Sequence, residues 1–253
     1  MAEGPVVHFF ADRLDRALAG RCASVEFGIN KLKGRGDSFA DVPVSGVDAC
    51  GEQFRIRFGD GRIVLVHLLM WGTWRIYEGG EEWDKPRSRA RLILWSDDVV
   101  AVAFSAPIVR VFEDEGALAE SKWGDSGEDP LRDDYSRAGA VWSLRGEADR
   151  PIGIAIMDQS VLAGVGNILR NEILFLSRVD PRRTVGSLGD DELDRILDWT
   201  EELMERWLRN MGERKNWIHV YRRSGNPCGE CGDEIEFFRQ DDRITYVCPT
   251  CQR

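Results

Sequence analysis

Cys228-Gly229-Glu230-Cys231 and Cys248-Pro249-Thr250-Cys251 bracket a stretch of sixteen residues late in the chain. Two cysteine pairs at this spacing match a four-cysteine structural zinc site, in which each two-residue gap lets both thiolates reach one tetrahedral ion at about 2.3 Å. The segment between them, Glu234 to Val247, is long enough for a β-hairpin. Ile235 and Phe237 alternate with Glu234 and Glu236, Gln240-Asp241-Asp242 supplies a turn, and Ile244-Thr245-Tyr246-Val247 returns. So short a hairpin has almost no core, and a bound metal would supply folding free energy on the order of 10–16 kcal/mol. A pair of disulfides, or four unrelated cysteines, are the competing readings of the same residues.

The 253 residues suffice for one large domain or two smaller ones. No run of about eighteen apolar residues occurs, so no membrane span is expected, and the start lacks the charged-then-apolar pattern of a secretory signal. Six cysteines leave Cys22 and Cys50 outside the zinc set; with no wider disulfide framework, the expected compartment is the cytoplasm. The formal net charge of −10 argues against indiscriminate binding of a polyanion. Locally the balance reverses: Arg206 to Arg223 carries six Lys/Arg against a single acid, Glu213, and runs straight into the hairpin. Such a collar is either a phosphate-binding surface or a solvated helix face.

Apolar residues at Val6, Val7, Phe10, Leu14, Ala17 and Leu18 have helical spacing, and Gly20 follows as a stop. The pattern then becomes strand-like. Arg55–Phe58 turns through Gly59-Asp60-Gly61 into Ile63–Val66, followed by Thr73–Tyr77, Arg91–Trp95, Val99–Phe104 and Ile108–Phe112. Strands at these short intervals predict a β-sandwich of roughly a hundred residues. Gly124 to Arg150 lacks sustained periodicity and reads as a connector. From Pro151 the character is helical: Ile152–Leu162, a second helix from Asn167 through Leu176, and a third over Asp190–Met211. The expected fold class is α+β, with an N-terminal helix and β-sandwich over 1–123, a linker over 124–150, a helical domain over 151–220 and a zinc finger over 221–253.

Asp158-Gln159-Ser160-Val161-Leu162-Ala163-Gly164-Val165-Gly166-Asn167 places two glycines directly before a helix. Glycine admits backbone geometry that other residues rarely adopt, and the unpaired N–H groups and positive dipole end of the helix form an anion site. Asn167 at the N-cap can turn its amide outward. An ordinary helix–helix turn has the same signature.

This turn, the following Asn171-Glu172-Ile173-Leu174-Phe175 and the basic zinc hairpin together resemble the helix–two-turn–helix and zinc-finger half of the formamidopyrimidine-DNA glycosylase/endonuclease VIII family. The ending Tyr246-Val247-Cys248-Pro249-Thr250-Cys251-Gln252 is similar to that family's C-terminus, and Ala2-Glu3-Gly4-Pro5 to its start. His67-Leu68-Leu69-Met70-Trp71-Gly72 looks like its void-filling loop. The resemblance spans the chain. It implies excision of damaged bases from DNA by flipping the nucleotide out of the stack, attack on the anomeric carbon by an N-terminal amine, and often strand cleavage by elimination. On this sequence it implies that Ala2 supplies the amine, Glu3 is the catalytic acid, and Asn167 and Arg243 grip phosphates beside the lesion. Met70 falls at the position of the wedge, where a core residue at a strand end is the alternative, and the adjacent Trp71 can stack on bases or simply pack. Cys228, Cys231, Cys248 and Cys251 would hold a structural Zn²⁺, and the partner would be lesion-containing double-stranded DNA, met by a monomer at the nucleoid.

Three departures fall on the chemistry. The family nucleophile is usually a proline exposed by removal of Met1, and here position 2 is Ala2. Cys50-Gly51-Glu52 stands where the family has Gly-Lys, which reverses the sign of a side chain's interaction with phosphate, worth about 1 kcal/mol or more at partial burial. Val6 replaces a carboxylate. Ile108–Phe112 also lacks the arginine-phenylalanine-glycine loop of members directed at 8-oxoguanine, which points to the endonuclease VIII-like branch. The expected function is a glycosylase for an oxidised pyrimidine or an alkylated base, with lyase activity in doubt. The alternative is a non-catalytic reader of damaged DNA. A zinc-stapled protein-interaction module would explain neither the Gly164–Asn167 turn nor the basic collar.

Overall fold

The structure is a computed structural model that describes residues 2–96, 98–211 and 217–253. Met1 and residues 212–216 of the basic collar, Glu213, Arg214 and Lys215 among them, lie outside the described residues. The chain divides into two compact units: Ala2 with Val6–Asp125, and Glu3–Pro5 with Ser126–Arg253.

The first unit is a sandwich of two four-stranded antiparallel sheets under a helix. Helix α1 (Gly4–Leu18) buries Val7, Ala11, Leu14 and Leu18, which recur at helical spacing. One sheet has the order β1 (Ser24–Phe27), β6 (Ala90–Trp95), β7 (Val99–Phe104) and β5 (Thr73–Glu78). The other has the order β2 (Val44–Cys50), β3 (Gln53–Phe58), β4 (Ile63–His67) and β8 (Ile108–Phe112). Their inner faces supply Val25, Leu92, Leu94, Ala101 and Ala103 on one side and Val47, Phe54, Ile56, Val64 and Val66 on the other to a common core.

Several strands read as continuous apolar runs because both of their faces are covered. Ile93, Val102 and Phe104 pack outward beneath Trp83 and Trp95. Ile63 and Leu65 pack outward against Leu118 of α2 (Glu115–Ala119). Strands β1 and β2 were not expected from the sequence. β1 has only four residues, and the pairing of β2 shifts register between Val44 and Gly46, where a bulge breaks the alternation.

In the second unit, the stretch expected as a featureless connector contains helix α3 (Arg137–Gly146), whose N-cap Ser136 accepts from Gly139 N at 3.1 Å. The helix expected over Ile152–Leu162 is shorter: α4 covers Ile152–Ala155 only. Asp158 diverts the chain, its Oδ1 accepting from Ser160 N at 3.1 Å and Ser160 Oγ at 2.7 Å, a local turn that competes with helix. Helix α5 (Asn167–Leu176) is buried from Asn167 to Phe175, and α6 (Asp190–Arg209) presents Leu193, Ile196, Leu197, Thr200, Leu203, Met204 and Trp207 as a buried stripe.

The C-terminal hairpin pairs β9 (Glu236–Gln240) with β10 (Arg243–Val247) through a two-residue turn. Asp241 and Asp242 both have positive φ, which suits the right-handed twist of the flanking strands. The alternation expected for Ile235 and Phe237 fails. The strand begins only at Glu236, so Ile235 is buried with Phe175, Val220, Cys228 and Cys248, whereas Phe237 is 60% exposed. The hairpin is therefore not without a core; it shares one with the end of α5.

Candidate active site and metal centre

Glu3 is fully buried, and its carboxylate meets the start of α5: Ile168 N donates to Oε1 at 2.8 Å and Leu169 N to Oε2 at 3.1 Å. These amides have no partner within the helix, and the dipole there favours negative charge. The anion site expected at Gly164–Asn167 exists, but the chain's own third residue fills it. The glycines are required by this approach. A Cβ on Gly166 would lie 2.4 Å from Glu3 Cδ, and one on Gly4 would lie 2.7 Å from Gly164 Cα. Gly4 N also donates to Gly164 O at 2.9 Å. Gln159 braces the turn, accepting from Gly164 N at 2.8 Å and donating to Val165 O at 3.1 Å.

Asn167 is not the N-cap; Gly166 is, and Asn167 is the first helical residue, 8% exposed. Its amide faces inward, with Nδ2 donating to Ile244 O of β10 at 3.2 Å and Oδ1 accepting from Arg170. Arg170, fully buried, also donates to Ile244 O at 3.1 Å and Gly153 O at 3.3 Å. Burial, with the charge of Arg243 second, draws its guanidinium down to about 10. Asn171 Oδ1 accepts from Tyr246 N at 2.5 Å. Glu172 accepts from the amides of His219, Val220 and Tyr221 at 2.6, 3.1 and 2.8 Å, and burial pushes its carboxyl up to about 7 against those three donors. Helix α5 and the hairpin are thus joined by polar groups with little access to water. Arg243 itself is exposed at the turn end of β10.

The Sγ atoms of Cys228, Cys231, Cys248 and Cys251 all lie within 4.8 Å of one another. Two of the separations, 3.9 Å for Cys228–Cys251 and 3.4 Å for Cys231–Cys248, are close to the edge of about 3.8 Å of a tetrahedron with 2.3 Å metal–sulfur bonds. All four are free cysteines, so the disulfide reading does not hold. Burial, then the neighbouring sulfurs, push the Cys251 thiol up to about 12. A cation among these sulfurs would relieve that crowding, and the donor set fits a divalent metal.

On the first unit, Met70 and Trp71 are 54% and 78% exposed, which excludes the reading of Met70 as a core residue. They occupy a tight turn in which Gly72 N donates to Leu68 O at 2.9 Å and Leu69 holds a φ of 47°. Leu69 N donates to His67 Nδ1 at 3.2 Å, which leaves the imidazole proton on Nε2. That nitrogen lies 3.7 Å from Glu52 Oε2, and burial holds the imidazole below its usual range. Ala2 is half-buried at the edge of the sandwich core.

Comparison with known proteins gives this geometry a context. The family model described as "Formamidopyrimidine-DNA glycosylase H2TH domain" matches residues 126–216. "Probable endonuclease 8 2" of Streptomyces coelicolor is 33% identical over 100% of this chain and 94% of its own length. "DNA-(apurinic or apyrimidinic site) lyase Nei2" of Mycolicibacterium smegmatis is 34% identical over 100% of this chain and 99% of its own. The chain belongs to the formamidopyrimidine-DNA glycosylase/endonuclease VIII family. A solved structure of the Lactococcus lactis formamidopyrimidine-DNA glycosylase, non-covalently bound to DNA containing an AP site, has the same fold. Its TM-score is 0.85 at 20% identity, over 99% of each chain.

For this family member, Glu3, Asn167 and the hairpin that carries Arg243 come together within one unit. Sequence reasoning passed over Arg170. The available signal was a pair of opposite charges, Arg170 and Glu172, inside a helix otherwise apolar enough to be buried. It placed Gln240 in the hairpin turn, whereas Gln240 ends β9 and its Nε2 donates to Pro181 O at 3.0 Å.

Gly166→Ala tests the closeness of Glu3 to α5. A methyl group 2.4 Å from Glu3 Cδ meets a carboxylate held at both oxygens, so it cannot be accommodated by a simple swing of the side chain. The expected loss of stability is about 1–3 kcal/mol in urea unfolding, together with loss of any activity that depends on Glu3. Unchanged unfolding would contradict the geometry.

Proposed function

We propose that this protein is a DNA glycosylase of base-excision repair, of the endonuclease VIII-like branch, acting on an oxidised pyrimidine or an alkylated base in double-stranded DNA. The observation that carries this reading is the buried Glu3 carboxylate fixed on the amides of Ile168 and Leu169, one residue from Ala2, in a chain of this family. Once Met1 is removed, the Ala2 amine, with an ordinary pKa of about 7.7–8.0, is partly neutral at physiological pH. Its lone pair attacks C1′ of the flipped nucleotide, the glycosidic bond breaks, and the base leaves with the electron pair and takes up a proton. Loss of the ring oxygen from C1′ then gives an imine. Glu3, hydrogen-bonded but adjacent to the amine, is the group suited to proton transfer at this step. Elimination of the 3′ phosphate from the imine is the lyase step, and Ala2 and Glu52 make it the weaker activity of this chain.

On this reading Asn167 acts through the hairpin, because its amide is engaged with Ile244 O, while the exposed Arg243 makes the direct phosphate contact. An arginine suits this task because its fork gives two bonds to one phosphate. Met70 and Trp71 fill the gap that the flipped base leaves, and Zn²⁺ held by Cys228, Cys231, Cys248 and Cys251 clamps the hairpin. The protein works as a cytoplasmic, nucleoid-associated monomer. Among the described residues, no helix is long and apolar enough to cross a membrane.

Borohydride treatment with lesion-containing and abasic duplexes tests the chemistry. The expected result is base release and a covalent adduct that disappears when the N-terminus is acetylated. Base release without an adduct would assign Glu3 to activation of water. Binding with no release from any lesion would establish the non-catalytic reader that Ala2, Glu52 and Val6 favour. Arg243→Ala should weaken duplex binding with unfolding unchanged, and lower the slope of log affinity against log salt by about 1. An unaltered slope would remove Arg243 from the interface. Elemental analysis should find one zinc per chain, lost in Cys248→Ser along with hairpin order; full metal-free folding would refute the clamp.

A further inference from the structure

One end of the first unit's sandwich gathers more than the exposed Leu68–Gly72 turn. The register pairs Gln53 with His67, His67 with Ile108, Thr73 with Phe104 and Ala90 with Phe104. The 51–52 turn, the 68–72 turn and the 105–107 connection therefore all leave the sheets at the same end. β1 finishes there as well, since Phe27 pairs with Leu92 near the start of β6. The chain that follows is pinned in place: Gly28 N donates to Arg91 O at 3.0 Å, and a Cβ on Gly28 would stand 2.1 Å from Ala90 O.

A cleft of about 700 Å³ lies here, between the segment after β1 and the chain from Ala106 to Val111. Four cations line it, Lys31, Arg35, Arg91 and Arg110, and among the described residues no Asp or Glu does. A wall of that charge is unexpected in a chain of net charge −10. Arg35 is partly engaged by Glu113 at 2.9 Å, and Arg91 by the carbonyls of Ser88 and Ala90 at 3.0 and 3.2 Å. Lys31 and Arg110 are exposed and make no ion pair among the described residues. One wall belongs to β8, the edge strand of its sheet, so backbone amides there are also open to an anion.

We propose that this cleft holds the phosphodiester backbone of duplex DNA next to the point where Met70 and Trp71 enter the stack. The inference rests on the glycosylase reading and deepens it. Glu52, on the same rim, repels phosphate; Lys31 and Arg110 supply attraction a short way along that rim. Both are exposed cations that make no ion pair among the described residues, so their proposed role is electrostatic and is measurable as counterion release.

The test is a salt titration of binding to a labelled duplex containing an abasic-site analogue. It compares the full-length protein, the double variant Lys31→Gln/Arg110→Gln, the single variant Lys31→Gln and Arg110→Lys. In the double variant the slope of log affinity against log salt should fall by about 2, with affinity at ~50 mM salt down roughly tenfold or more. The Lys31 change alone should lower the slope by about 1, and Arg110→Lys should keep the wild-type slope. Thermal unfolding checks that each variant is folded. If the double variant is not, the single Lys31 change carries the test. A wild-type slope in folded Lys31→Gln and in the folded double variant overturns the proposal and leaves the glycosylase reading standing. Failure of the unaltered protein to bind the duplex at any salt overturns both.

Discussion

A buried carboxylate must find donors, and the start of a buried helix has amides without acceptors. The second unit is arranged around the meeting of these two needs, Glu3 on Ile168 and Leu169. Gly166 and Gly4 are there for proximity, because any side chain at either would occupy space already held by Glu3 or Gly164. Gly164, with a φ of 88°, also lets the chain turn into that approach. The positive end of α5 is already neutralised from within, so on the proposed function an external phosphate would be met by side chains such as the exposed Arg243.

The same helix ties the hairpin down from its other face. Arg170, Asn167 and Asn171 all reach backbone groups of β10, and Glu172 gathers three successive amides just before the first cysteine pair. Among the described residues, Arg170 donates to carbonyl-type oxygens, those of Gly153, Asn167 and Ile244. Losing one such charged hydrogen bond in the interior costs about 1.5–3 kcal/mol. Order in the hairpin therefore matters beyond the hairpin. If the cysteine cluster opened, Ile244 would move and leave a buried guanidinium and Asn167 short of an acceptor. A metal ion held by the four cysteines, at the far end of two short strands, would thus help hold the first turn of α5, where Glu3 is seated.

Much of this was legible in the sequence, and the failures have physical causes. Cysteine spacing, the Gly-x-Gly before a helix and the apolar runs from Ile63 to Phe112 announced the finger, the turn and the sandwich, because each is set by local geometry. β2 escaped because a bulge at Gly46 interrupts its alternation. α3 escaped because its apolar stripe is narrow: Ala140 and Leu144 are its buried residues while Trp142 points to solvent. The burial of Asn167 and the occupant of the anion site could not be read locally. Both depend on partners 77 and 165 residues away, and only folding brings those partners near.

On the proposed reading, the rim of the sandwich shows how a changed charge can be absorbed without losing a DNA-binding face. Glu52 occupies a position where a lysine would attract phosphate, and its neighbour His67 offers little compensation. Its Nδ1 accepts the Leu69 amide, and burial disfavours the imidazolium. The imidazole Nε2 lies 3.7 Å from the Glu52 carboxylate. Exposed apolar groups such as Met70 and Trp71 can enter a base stack only if the flanking backbones are held close. Coulomb attraction over several ångströms in partly screened surroundings is the force available for that. Cations set along the same rim exert it almost as well as one beside the wedge, because screening is modest within about a Debye length. If the rim binds DNA as proposed, the position of the positive charge can drift over it while the requirement for it persists.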